Sequence, residues 1–228
     1  MERGIKPAAN QNWLWVILLV ILANLVQLPL LQLSRGSVGH RVLWGAIYLG
    51  GFAVAVAIAA WRYRSLWREA FHWQRLTRRD WRLMVGGYLL MLVTEQVLSL
   101  LNYYVSHQTS TANNQAISRL LGQSPWTMVL MSLTAICASP FLEEFTFRGL
   151  LMDGCFGPQA FWVPIVVSGI AFSLVHASTT LISALIYAVM GGVFAYVYRK
   201  TGKIQATIIL HAFNNLIAMG MMWVTLLS

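Results

Sequence analysis

Long apolar runs alternate with short polar or basic turns through most of the chain, and about 20 consecutive apolar residues are enough to carry a helix across roughly 30 Å of hydrocarbon. The pattern predicts spans at Trp13–Leu33, Val42–Trp61 and Leu83–Val105, with Pro29 kinking the first. The first run is longer than a signal-peptide core and no small-x-small cleavage site follows it, so it reads as a span. From Ser106 to Ser124 the chain turns to Ser, Thr, Asn and Gln, which predicts an exposed loop or surface helix. A fourth apolar helix begins at Trp126, meets Pro140 and then becomes charged. Further spans are predicted at Pro164–His176, Leu181–Tyr198 and Ile204–Leu227. The expected fold is therefore all-α: one polytopic transmembrane bundle over residues 1–228, with seven spans, or eight if the polar stretch Leu174–Thr180 adds a short re-entrant helix. Residues 126–219 form the prospective working core, and 1–125 supply N-terminal spans and loops.

Composition agrees with this pattern. The hydrophobic set makes up 58% of the residues and charged ones only 10%, too few for a solvated coat. The net charge of +9 raises nucleic-acid binding. The basic residues cluster at the ends of apolar runs, however, and Arg62, Arg64, Arg68, Arg75, Arg78, Arg79 and Arg82, opposed by Glu69 and Asp80, read as a cytoplasmic loop. Arg199, Lys200 and Lys203 fill a second such turn, and both are satisfied with the N-terminus inside. No nucleic-acid partner is expected. Cys137 and Cys155 do not suggest a disulfide framework.

The chemistry lies in polar residues placed inside apolar helices. A carboxylate at bilayer depth costs about 2.5–3.5 kcal/mol, so Glu143 and Glu144 need a reason to be there. Arg148 stands four residues after Glu144, the favourable spacing and order for an ion pair, which leaves Glu143 unpaired as a general base. Phe172 and His176 share a helical face, as do His211 and Asn215. Counted at 1.5 Å per residue, His211 and Glu143 both lie about 12 Å deep, whereas His176 falls at roughly 18–25 Å.

Glu143-Glu144-x-x-x-Arg148, Phe172-x-x-x-His176 and His211-x-x-x-Asn215, in that order, resemble the three signatures of the CAAX protease and bacteriocin-processing family. These are the type II CAAX prenyl endopeptidases and their bacterial relatives, also called the Abi family. The Thr201-Gly202 turn before the last histidine helix also looks typical of it. The resemblance implies an intramembrane endopeptidase acting near the cytoplasmic face of a bacterial plasma membrane, on a membrane-anchored or lipidated peptide. It implies that Glu143 and His176 activate the attacking water, and that His211 and Asn215 stabilise the oxyanion. Glu144 and Arg148 would support the cavity wall, and Phe172 would pack.

Two questions stay open at this level. Glu143, His176 and His211 are also a candidate His₂Glu zinc set, although the chain lacks His-Glu-x-x-His and a metal-free mechanism accounts better for the asparagine. A non-catalytic immunity or scaffold protein of the same fold, or a proton-coupled transporter, is the alternative to a peptidase.

Overall fold

The computed structural model describes residues 10–68 and 72–228, so Glu69 and the first nine residues, on which the loop charge and N-terminal orientation drew, lie outside it. Nine α-helices follow in order: α1 (Gln11–Leu25), α2 (Val38–Arg64), α3 (Arg78–Ser106), α4 (Ala112–Leu121), α5 (Pro125–Cys137), α6 (Ser139–Glu144), α7 (Trp162–Leu174), α8 (Leu181–Thr201) and α9 (Ile204–Leu227), all among the described residues. A 3₁₀ turn, Leu28–Gln32, follows α1, and a π-helical segment, Phe145–Cys155, continues α6.

Sequence explains most of these boundaries. Pro29 sits at the start of the 3₁₀ turn and Pro140 at the start of α6, each where a missing N–H costs least. Thr77 and Asp80 form a capping box on α3, and Ser37, Thr111, Ser124 and Thr180 accept from the first-turn N–H groups of α2, α4, α5 and α8. Gly202, at φ 71°, closes α8 in the left-handed conformation and turns the chain into α9.

Six stretches are long and apolar enough to cross a bilayer: Gln11–Gln32, Val38–Arg64, Arg78–Ser106, Pro125–Cys155, Leu181–Thr201 and Ile204–Leu227. They make the chain an integral membrane protein. The predicted fifth span is the exception. Helix α7 has 13 residues, about 20 Å, and ends at Leu174, so His176 lies in the turn beyond it. The polar stretch before Thr180 is a connection and adds no helix. The predicted polar loop after α3 contains the ten-residue α4, which is only partly exposed.

Apolar side chains such as Leu14, Ile17 and Ile21 on α1 and Val85, Leu89 and Val93 on α3 point outward, while Glu144, Arg148, Asp153, Arg199 and His211 are buried. With lipid outside, helices gain from close approach through small residues. Helices α7 and α8 meet in this way: a Cβ on Gly191 would lie 2.7 Å from Phe172 Cβ, and one on Gly169 would lie 2.7 Å from the Ala188 carbonyl.

The second basic turn carries more than topology. Arg199 is buried and donates to Asp153 at 2.5 Å and to the Met152 and Gly157 carbonyls. Lys203 reaches Asp80 at 2.6 Å and the Arg75 carbonyl at 2.9 Å, tying the start of α3 to the start of α9. At the other end of the sequence, Asn12 donates to Gly154 O at 2.6 Å and accepts from Arg62 at 2.6 Å.

Candidate active site

Pro140 starts α6 one turn before the two glutamates, and the helix widens into the π-helical segment directly after them. Such widening is frequent at functional sites, because it turns side chains away from their regular positions. Glu144 and Arg148 both have fully buried side chains and form the expected ion pair at 3.1 Å. Arg148 also donates to the Gly191 carbonyl at 2.8 Å. Its guanidinium lies 5.1 Å from the ring centre of Phe172 and 5.3 Å from that of Phe194, so the charge is wrapped by aromatic faces.

His211, from α9, enters between the two glutamates. Its Nδ1 lies 2.9 Å from Glu144 Oε1 and its Nε2 lies 3.9 Å from Glu143 Oε2. Since a carboxylate accepts, Nδ1 carries a proton, and Nε2 is the atom turned toward Glu143. Phe194 stacks on the imidazole at 4.7 Å and fixes its plane. Glu143 keeps 21% of its side-chain surface, and its Oε2 has no hydrogen-bond partner among the described residues.

His176 is held just as firmly from the turn after α7. Its Nδ1 donates to Phe172 O at 2.7 Å, which leaves Nε2 with the lone pair of the neutral ring. The ring is stacked between Phe172, at 4.4 Å, and Tyr187, at 4.6 Å. The Tyr187 hydroxyl in turn meets Thr111 at 2.7 Å and Asn114 at 3.3 Å, linking this wall to α4.

A cavity of about 310 Å³ is lined by Glu143, His176, His211 and Asn215 together. Four side chains from three separate segments therefore share one space, although among the described residues neither His176 nor Asn215 is hydrogen-bonded to Glu143 or His211. Asn215 donates one amide hydrogen to Ala135 O at 2.8 Å, so only the other is free for a ligand. Phe172 packs, as expected for it. Among the described residues no three His, Cys, Asp or Glu side chains are grouped closely enough to hold a metal ion as they stand.

The opposite wall was not foreseen. Tyr48, Phe52, Tyr88 and Glu95, from α2 and α3, line the same cavity as the three motifs. Glu95 carried a signal in the sequence, a lone carboxylate inside an apolar span. The aromatic residues did not differ from any other lipid or core position.

Comparison with known proteins bears directly on this arrangement. Residues 125–217 match the family model described as type II CAAX prenyl endopeptidase Rce1-like. That stretch is less than half of the chain and is similar to the Rce1-like family. The match includes Glu143, Glu144, Arg148, Phe172, His176, His211 and Asn215, so the Rce1-like segment contains every residue of the three signatures. The chain is also 27% identical over 132 residues to a Bacillus subtilis (strain 168) protein named "Putative membrane peptidase YdiL". That alignment spans 58% of this chain and about half, 52%, of the relative. No solved structure matches the chain. The Rce1-like segment stops short of α2 and α3, which build the far wall of the cavity from outside the matched residues.

Proposed function

We propose that the chain is an intramembrane endopeptidase in which Glu143 and His176 activate water and His211 and Asn215 hold the oxyanion. The observation that carries this reading is the cavity shared by these four side chains, with a Glu143 oxygen that has no hydrogen-bond partner among the described residues. A water in that space can donate one hydrogen to Glu143 while its oxygen attacks the scissile carbonyl carbon. Glu143 takes up that proton, and the His176 Nε2 lone pair accepts a hydrogen bond from the water's other hydrogen. The carbonyl oxygen then becomes an oxyanion, the C–N bond breaks, and Glu143 returns the proton to the departing amine.

His211 fits the donor role when both ring nitrogens are protonated. Nε2–H and the free Asn215 amide hydrogen are then two donors, each worth about 3 kcal/mol in comparable sites. Glu144 and Arg148 orient His211 and do not meet the substrate. Substrates of this reading are peptides at the membrane, anchored or lipidated, cut near the cytoplasmic face.

The test is peptidomics of membranes from cells carrying the native chain or its Glu143→Gln form at equal abundance. The native chain should yield cleavage products that the variant lacks, with catalytic efficiency down at least 100-fold on any peptide so identified. Equal peptide profiles would overturn the proposal, and retention of a cellular effect by Glu143→Gln would favour a scaffold.

A further inference from the structure

Five carboxylates fall among the described residues: Asp80, Glu95, Glu143, Glu144 and Asp153. Four have a basic side chain close by: Lys203 at 2.6 Å from Asp80, Arg148 at 3.1 Å from Glu144, Arg199 at 2.5 Å from Asp153, and His211 at 3.9 Å from Glu143. Glu95 is different. It sits near the middle of the 29-residue α3, half-buried, and among the described residues it has neither a hydrogen-bond nor an ion-pair partner. It does not face lipid; it lines the cavity that also holds Glu143, His176 and His211. Around it the same cavity is lined by Gln96, Asn113, Asn114 and Tyr187, neutral groups whose oxygens accept hydrogen bonds.

A carboxylate in a membrane helix is retained against a solvation cost; Asp80, Glu144 and Asp153 offset that cost with a Lys or Arg of the chain itself, and Glu143 faces the His211 imidazole. Glu95 has the same requirement and no cation to meet it, in a pocket whose other wall carries the proposed reaction. We propose that Glu95 forms a subsite for a cationic group of the substrate, a lysine or arginine side chain or a free amine, close to the bond that is cut. The subsite rests on the peptidase reading for its substrate but not for its binding chemistry. Its location outside the Rce1-like segment makes it a property of the N-terminal helices. Neutral acceptors beside one carboxylate suit a single positive charge, because they add hydrogen bonds without a second charge to be left unpaired.

The experiment uses the full chain in detergent and a set of apolar decapeptides, blocked at both ends, in which each position holds lysine, norleucine or glutamate in turn. A parallel set carries a free N-terminus. Cleavage is followed by mass spectrometry. For the native chain, lysine at one position should raise kcat/KM about tenfold over norleucine, the size of a charge-assisted hydrogen bond. Glu95→Gln should bring that ratio to about one, and Glu95→Lys should shift the preference to glutamate. If peptides with a free N-terminus are instead preferred over blocked ones by a similar factor, whichever residue each position holds, and Glu95→Gln abolishes that preference, the cation is the terminal amine. Equal cleavage of lysine and norleucine peptides together with equal cleavage of free and blocked ones by the native chain, or a preference that survives in Glu95→Gln, overturns the subsite.

A second measurement separates this idea from the peptidase reading. If no peptide is cut, that reading has failed, and thermal unfolding with the same peptides still decides the subsite. Lysine peptides should stabilise the native chain more than norleucine peptides, and the difference should vanish in Glu95→Gln. Equal stabilisation by both overturns the proposal.

Discussion

Arg148 is fully buried, and one carboxylate, one backbone carbonyl and three aromatic rings surround its charge. Its pairing with Glu144 was legible in the sequence because i,i+4 spacing on a helix is a local property. The third member of the group was not, because only tertiary packing brings His211 from α9 to Glu144. This organisation predicts different outcomes for two neighbouring substitutions. Arg148→Ala leaves Glu144 charged and buried without its guanidinium and should cost about 3–5 kcal/mol, seen as a lower midpoint of unfolding in detergent. Glu143→Gln removes no hydrogen bond from the described structure and should shift stability by less than about 0.5 kcal/mol. Equal stability of Arg148→Ala and the native chain would refute the division between a supporting and a reacting glutamate.

Helix α7 was the element least well read from sequence, and its physical reason is length. An apolar run that begins at Trp162 has only 13 helical residues through Leu174, and the turn that follows brings His176 to a level that a straight span would not. The mismatch of roughly 6–13 Å between the depth counts for His176 and His211 was the sign of it. What fixes α7 instead is contact with α8 through glycine. Gly191→Val would drive branched carbons into Phe172, whose carbonyl and ring hold His176. It should cost about 1–3 kcal/mol of stability and lower kcat by more than the loss of folded protein accounts for. Gly192→Ala is the matched control, since a Cβ there meets nothing within 4 Å, and it should leave both quantities unchanged. Similar behaviour of the two variants in activity and unfolding assays would remove α7 packing as the source of His176 placement.

At the scale of the whole molecule, residues of the three signatures line one part of the cavity, and the N-terminal helices complete it. Those helices carried no motif because most of their contribution is apolar surface, which looks the same whether it faces lipid, a neighbour or a substrate. Their attachment, by contrast, is polar and specific. Asp80 opens α3 and Lys203 precedes α9, and farther along the same two helices Tyr88 packs edge-on to Phe213 at 4.9 Å. The ion pair therefore sets the spacing between the helix that carries Glu95 and the helix that carries His211 and Asn215. Side-chain exposures of 7% for Asp80 and 12% for Lys203 shield it from most of the screening that weakens surface pairs. A double-mutant cycle with Asp80→Asn and Lys203→Met, followed by unfolding in detergent, should return a coupling of about 1–3 kcal/mol. Both single variants should raise KM more than they lower kcat, because the cavity widens while Glu143, Glu144, Arg148 and His211 stay joined through contacts of their own. A coupling near zero, or a fall in kcat at constant KM, would mean that the far wall is positioned by lipid-facing packing and not by this clamp.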